Sequence, residues 1–266
     1  VKGASANGSE IAVVHLVWAP LGLEVLEGFL RAYREMPPGI PHQLAVILNG
    51  FHGSHAGGLA DAQRVLAEVE HEVVLPPRPI PDLAAYLLAA QQVQAERLCF
   101  LNSYSRPLVP DWLATLDAPF CDPSVGMVGA SCSFESAFSA APRWLRPLRR
   151  RDFPPFPNPH LRSNAFVLDR ELMLRLRWEV SRSKTTAWAL ESGRGSISNQ
   201  IWDRGMKVLA VGRDGVAYPP ERWRESATFR SGEQRNLLIA DNRTDQYANA
   251  DPEFKRRLGQ MAWGLD

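Results

Sequence analysis

Two stretches of this chain combine side chains that do chemistry with a spacing that would aim them. The first is Asn102-Ser103-Tyr104-Ser105, four hydrogen-bonding residues set between an apolar run (Leu98, Cys99, Phe100, Leu101) and Pro110-Asp111-Trp112-Leu113. The apolar run reads as a buried strand. The Pro-Asp-Trp-Leu sequence reads as a helix opening, with Asp111 as the helix-start residue. The turn between them can offer donors and acceptors to a ligand, but it holds no carboxylate. The second stretch is Leu190–Gly205, LESGRGSISNQIWDRG, in which Glu191 precedes a helix expected from about Gly195 to Asp203. A carboxylate just ahead of a helix feels the positive end of its dipole, which suits a proton acceptor better than a proton donor. The plainer role for Glu191 is electrostatic capping of that helix.

Smaller signals stand around these two. Asn49 closes an apolar run and is followed by Gly50, so it is either the amide edge of a binding site or half of a turn. Ser163 and Asn164 precede the apolar Ala165–Leu168, and His160 lies a few residues earlier in what reads as a loop. Arg106, Arg194, Arg230, Arg235 and Arg243 are guanidinium groups able to face an anion, or simply to be solvated. The three cysteines, Cys99, Cys121 and Cys132, show no CxxC spacing, so neither a zinc site nor a disulfide framework is expected.

The elements that must carry these residues follow a clear rhythm. Ile11–Trp18 is a continuous apolar run, as in a strand buried on both faces, and Pro20 ends it. Leu23, Leu26, Leu30 and Tyr33 recur at helical spacing over 21–34. Gln43–Leu48 is a second strand, 51–58 a loop, 59–70 a helix, Val73–Leu75 a third strand, and Asp82, placed as an N-cap, opens a helix to about Gln94. Strand alternating with helix requires a mostly parallel sheet with helices on both faces. In such sheets ligands bind beyond the carboxyl ends of the strands, so the loops after Trp18, Leu48 and Leu101 should line one crevice. Further strands are expected at Val125–Ala130 and Lys207–Val211, helices near 171–178 and 252–261, and Gly205 at the end of the Glu191 helix.

Length and composition set the frame. The chain has 266 residues, 45% hydrophobic and 22% charged, enough for one large α/β domain with a sizeable core. A formal charge of +1 gives no sign of a nucleic-acid partner. No stretch approaches the length of apolar sequence that crosses a bilayer, and VKGASANGSE has no basic flank followed by an apolar core. These features lead us to expect a cytoplasmic protein, with residues 1–10 disordered. The missing initiator Met suggests a processed tag or a piece excised from a longer protein.

The pattern of a hydrophobic strand, Leu-Asn-x-x, a short spacer and Trp-Leu at 96–113 resembles the donor-binding segment of GT-A glycosyltransferases of the family 2 type. LESGRG resembles that family's acidic motif, and PHLRSNAFVLDR (159–170) its small polar pair before a strand that ends in Arg. The resemblance implies a single-domain GT-A fold, Rossmann-like, with a mixed, mostly parallel sheet flanked by helices. It divides the chain into a transferase domain at 11–218, with a nucleotide-binding half (11–130) and an acceptor half (131–218), and a C-terminal segment (219–266) packed on the core. It further implies transfer of a sugar from a nucleoside-diphosphate sugar to a hydroxyl of a glycan, a lipid-linked or a small-molecule acceptor.

On this resemblance Glu191 is the base. Trp18, Pro20, Asn49, Asn102, Ser103, Tyr104, Arg106, Ser163 and Asn164 face the donor, and Arg194, His160 and Arg230 face acceptor or phosphate. With one base and no second carboxylate beside it, inversion is expected. The family's metal-binding Asp is missing, because Tyr104 stands where it belongs. That leaves arginine chemistry without a metal, a divalent Mn or Mg held elsewhere, or a catalytically silent GT-A-like binding module. A nucleotidyltransferase fits less well, since 51–58 lacks the basic phosphate loop. One segment stands apart: 141–159 is rich in Pro and Arg and reads as a flexible loop, and its aromatic-basic part at 143–156 suggests a lid, a peripheral contact with a membrane or simply a solvated loop.

Overall fold

The structure, a computed structural model, describes residues 10–178 and 184–264, without side chains for 184–187. Apart from Glu10, the stretch expected to be disordered lies outside the described residues. Eight strands form the main sheet: β1 (Ile11–Trp18), β2 (Gln43–Asn49), β3 (Glu72–Val74), β4 (Arg97–Leu101), β6 (Val125–Gly129), β9 (Ala165–Asp169), β10 (Lys207–Val211) and β11 (Ala217–Tyr218). Their order across the sheet is β11-β10-β6-β9-β4-β1-β2-β3. The pairs β1–β2, β1–β4, β2–β3 and β6–β10 are parallel. Strand β9 runs antiparallel between β4 and β6, and β11 is an antiparallel edge. The short strands β5 (Arg106–Pro107) and β12 (Ile239–Ala240) pair with each other, as do β7 (Cys132–Ser133) and β8 (His160–Leu161).

The continuous apolar run of β1 has a direct cause. Ala12, Val14 and Leu16 enter one core, while Ile11, Val13 and Val17 enter the other, on the opposite face of the sheet. Period-2 alternation therefore has no polar phase, because neither face meets water. Helices α1 (Glu24–Glu35), α2 (Gly58–Leu66), α3 (Asp82–Gln92) and α4 (Trp112–Asp117) follow the first strands. In α3, Leu83, Ala85, Tyr86, Ala89 and Ala90 are all buried, and the Tyr86 ring meets Phe100 of β4 at a tilt and Phe166 of β9 edge to face. The remaining helices are α5 (Ala137–Ala140), α6 (Arg146–Arg149), α7 (Arg170–Arg175), α8 (Lys184–Ser192), α9 (Ile197–Trp202), α10 (Asn242–Ala248) and α11 (Pro252–Trp263).

Two expected caps are corrected. Pro81, not Asp82, is the cap residue of α3, and its carbonyl accepts from Ala85 N. Asp111 does sit at the start of α4, in the left-handed region at φ 59°, but its side chain caps nothing. The free N–H groups of Asp111, Leu113 and Ala114 donate instead to the carbonyls of Pro37 and Pro38. The chain thus satisfies the helix start from a distant loop, which single-sequence cap rules cannot see.

Candidate active site

The sheet register brings the site together. Leu101, the last residue of β4, pairs with Ala165, the first of antiparallel β9. The two polar segments beyond them therefore meet at one edge: Asn102 N donates to Asn164 O at 3.0 Å, and Ser105 Oγ donates to the same carbonyl at 2.6 Å. A cavity of about 1200 Å³ opens there, lined among others by Asn102, His160, Ser163, Asn164, Glu191 and Arg230. Asn102 Oδ1 accepts from Tyr104 N at 2.9 Å and lies 2.9 Å from Ser105 Oγ, whose one proton it shares with Asn164 O, and so closes the turn on itself.

Glu191 is held by one neighbour through two bonds. Ser163 N and Ser163 Oγ both donate to Glu191 Oε1 at 2.8 Å. Among the described residues Oε2 makes no hydrogen bond. Contrary to expectation, Glu191 lies in the last turn of α8, not just ahead of a helix, so no positive dipole end faces it. The break falls at Gly193, whose N–H donates to Ala189 O; a Cβ there would sit 2.5 Å from that oxygen. Helix α9 starts four residues later, with Ser196 as its cap. The setting of Glu191 therefore comes from Ser163 rather than from a helix start. Behind it, Asp82 is pushed above the usual carboxylate range by burial and then by the negative charge of Glu191, but it does not line the cavity.

His160 is buried, not on the surface as a loop histidine would be. Its Nδ1 donates to Asn158 O at 2.9 Å, which leaves Nε2 as an acceptor. Burial pulls its pKa below the ordinary value despite the opposing pull of Glu191. Asn158 ties this strand to α8, donating to Ser192 O at 2.7 Å.

Of the cationic wall, Arg230 and Arg243 were expected from the sequence, and Arg162 and Arg257 were not. Arg162 donates to Asp241 Oδ2 at 2.6 Å and to Ser131 Oγ at 3.2 Å, and its guanidinium lies 4.0 Å from the ring centre of Phe229. Arg230 lies 4.8 Å from the same ring, is buried, and bonds to Glu135. Burial lowers its pKa, with Glu135 pulling the other way. Asp241 is fully buried and caps α10 through Arg243 N and Thr244 N at 3.0 and 2.8 Å. Burial works against its charge, but Arg162 and those N–H groups outweigh it and hold it below the usual carboxylate range. Arg243 and Arg257 also line the cavity, exposed and without a carboxylate partner among the described residues. Two buried donors, Asn164 Nδ2 and Arg230 Nε, have no partner. Such groups are rare in a native fold, and these two belong to residues that line the cavity.

Other expected residues lie off this lining. Asn49 is fully buried, and both ends of its amide bond to Ile80, donating to Ile80 O at 2.7 Å and accepting from Ile80 N at 3.2 Å. It clamps the loop before α3 and cannot read a ligand. Trp18 packs over Gly50, where φ is +86° and a Cβ would touch the indole at 2.8 Å. Pro20 is exposed, and Ser103 and Tyr104 do not line the cavity. Arg106 pairs with Asp245 at 3.0 Å, and Arg194 points to the carbonyl of Arg150. Of the three loops expected to share one crevice, only the one after Leu101 lines this cavity.

Sequence comparison gives no relative: no protein-family model and no curated protein matches the chain. Solved structures do. A mannosyltransferase from Pyrobaculum calidifontis, in complex with GDP-Man and Mn2+, matches with a TM-score of 0.52 and 16% identity, over 96% of this chain and 70% of its own. GalNAc-T7 with UDP, GalNAc and Mn2+ gives 0.48 at 16% identity, over 76% of this chain and 41% of that one. Glucosyl-3-phosphoglycerate synthase from Mycobacterium tuberculosis gives 0.41 at 16%, over 62% and 58%. The present chain thus spans less than two thirds of the length of the last two. The fold is GT-A, as the sequence resemblance implied.

The residues at the turn after β4 do not suit the divalent metal that accompanies this fold. Asn102–Ser105 offers one amide oxygen already holding two donors, two hydroxyls and a phenol, whereas Mn and Mg favour carboxylate oxygens. Among the described residues no group of three or more His, Cys, Asp or Glu is placed to hold a metal ion.

Proposed function

We propose that this protein transfers a sugar from a nucleoside-diphosphate sugar to an acceptor hydroxyl, with inversion and with Glu191 as the base. The observation that carries this reading is the state of the three carboxylates that line the cavity. Glu135 and Asp241 are each ion-paired with an arginine, whereas Glu191 has no ion-pair partner and keeps Oε2 free of hydrogen bonds among the described residues. A retaining double displacement needs a second free carboxylate as nucleophile, and none lines the cavity. One base on the acceptor side suffices for inversion.

In this mechanism Ser163 fixes Oε1 of Glu191 and leaves Oε2 to take the acceptor proton as the hydroxyl oxygen attacks the anomeric carbon. The bond to the diphosphate breaks on the opposite side. Charge growing on the leaving phosphate is met by Arg243 and Arg257, free to move, with Arg230 Nε and Asn164 Nδ2 as fixed donors. Fixed guanidinium groups can stabilise a leaving oxyanion. Arg162 is committed to Asp241 and shapes the wall without facing the phosphate.

The test is calorimetric titration with a panel of nucleoside diphosphates, with and without manganese. Binding of one nucleotide that is indifferent to manganese and survives EDTA supports arginine chemistry and names the donor class. Binding only with manganese overturns the metal-free part and means that acids elsewhere hold an ion. The carboxylate-free turn also favours a second reading, a silent GT-A-like binding module, which predicts nucleotide or glycan binding without turnover in any variant.

A further inference from the structure

The Arg-rich segment at 141–159 is not used by the chemistry above, yet its geometry is specific. Residues Arg143–Leu145 form a 3-10 turn that runs directly into α6, so Trp144 and Leu148, four apart, share one face. They are the most exposed large apolar side chains among the described residues, at 75% and 74%. The opposite face is fixed to the protein. Arg146 donates to the carbonyls of Ala141 and Ser139, and Arg149 lies 5.0 Å over the ring of Trp188 and 5.5 Å over Phe153. Two of the five arginines are therefore structural. The other three, Arg143, Arg150 and Arg151, are exposed and without an ion pair among the described residues. Asp152 is the only carboxylate in the whole segment.

This patch adjoins the mouth of the cavity. Phe156, Trp188, Phe254 and Met261 line the cavity and are also exposed. With Trp144 and Leu148, on the 3-10 turn and helix whose Arg149 lies over Trp188, they make six of the nine exposed large hydrophobic residues among those described. Phe156 is tied back to the segment through Ser139 Oγ at 2.9 Å.

We propose that the patch around Trp144 and Leu148 docks the protein on an anionic phospholipid surface. A protruding Trp and Leu flanked by free arginines match a bilayer interface, the rings entering the headgroup level and the guanidinium groups meeting lipid phosphates. A second copy of the chain is a poor occupant, because a two-fold contact would set these arginines against themselves. The docking argument stands on the patch itself. It rests on the sugar-transfer reading only for its consequence, that the cavity opens toward the interface and takes a lipid-borne acceptor.

The experiment is co-sedimentation of the full chain with vesicles of phosphatidylcholine alone and of phosphatidylcholine mixed with phosphatidylglycerol. Wild type should bind the mixed vesicles and leave the neutral ones. The Trp144→Ser/Leu148→Ser and Arg150→Glu/Arg151→Glu variants should each bind at least about ten-fold more weakly. All four positions are exposed, and unchanged circular dichroism and nucleotide titration would exclude misfolding. Absence of binding to mixed vesicles, equal binding to both kinds, or binding unmoved by either double variant overturns the proposal, as does binding to RNA with none to vesicles. Nucleotide titration on wild type keeps the two readings separate: its failure removes the transferase and leaves the vesicle result standing.

Discussion

The assignment of Glu191 can be tested through the neighbour that holds it. In Glu191→Gln the side chain keeps its length, and an amide oxygen can still accept from Ser163 N and Ser163 Oγ, now 2.8 Å from Oε1. Fold and donor affinity should therefore stay within a few-fold of wild type. What is lost is the proton acceptor, and general-base catalysis contributes about 10²–10⁴ in rate, or roughly 3–5 kcal/mol of barrier. Ser163→Ala is the graded companion. It removes one of the two donors and keeps the backbone one, so the loss is a single partly exposed hydrogen bond to a carboxylate, about 1.5 kcal/mol, or about ten-fold in kcat. Because Ser163 acts only through Glu191, the double variant should be no slower than Glu191→Gln alone. The assay is release of nucleoside diphosphate, under single-turnover conditions, from the donor that titration identifies, with water as acceptor if no better one is found. If Glu191→Gln keeps about a tenth or more of wild-type turnover, or if the Ser163 factor reappears in full in the double variant, the base assignment is wrong.

Three further predictions follow from the same geometry. Arg243→Ala and Arg257→Ala remove exposed, unpaired guanidinium groups, so each should weaken nucleoside diphosphate binding about ten-fold while leaving the urea midpoint unchanged; unaltered affinity in both would remove them from the phosphate site. Asp241→Ala leaves Arg162 buried without its counter-ion and strips the cap of α10, a loss of about 4–6 kcal/mol in urea unfolding, whereas Asp241→Asn keeps the cap and should lose less; equal losses would mean the missing counter-ion carries the effect alone and the cap contributes nothing. His15 is fully buried, stacked on Phe29 at 3.7 Å, with both ring nitrogens unpartnered, and burial lowers its pKa from 6.5 to about 3. Below about pH 6.5 the unfolded chain takes a proton that the fold refuses, so stability falls as pH drops through the window from 6.5 towards 3, by about 2 kcal/mol at pH 5. His15→Leu should flatten that part of the pH profile, and an equal acid loss in variant and wild type would refute the argument.

What the sequence made legible was whatever local pattern controls. Continuous apolar runs placed β1, β2, β4, β9 and β10 within a residue or so, because burial on both faces leaves no polar phase. The polar segments around Asn102, Ser163 and Glu191 were also visible, and β9 pairing against β4 is what turns them into neighbours. Two of the misses share one cause, partners distant in sequence, and the third is a local helix that the pattern did not reveal. Asn49 looks like a ligand contact until Ile80, 31 residues on, takes both ends of its amide. Asp111 looks like a cap until Pro37 and Pro38 supply the acceptors. Glu191 looks like the start of a helix because Gly193 and Gly195 separate it from α9, yet α8 runs through it.

The largest miss, the role of residues 219–266, shows how such a site is closed. Strand β12 pairs with β5 just after the Asn102 turn, and the Arg106–Asp245 pair fastens the same junction. That anchor places Asp241 against Arg162, and Phe229 between Arg162 and Arg230. A signal for this was present. Arg162 and Asn164 share a phase in an extended segment, so both can face one site, and Asp241-Asn242-Arg243-Thr244 has the spacing of a capping box, which α10 indeed forms. The sequence could not say that the cap would also be a counter-ion. Asp241 is fixed by Arg162 from one side and by the α10 N–H groups from the other, so the wall of the cavity and the start of the helix cannot move independently. A ligand that engages Arg243 therefore pulls on the residue whose own N–H is held by Asp241. The stiffness of the cationic wall comes from that shared carboxylate.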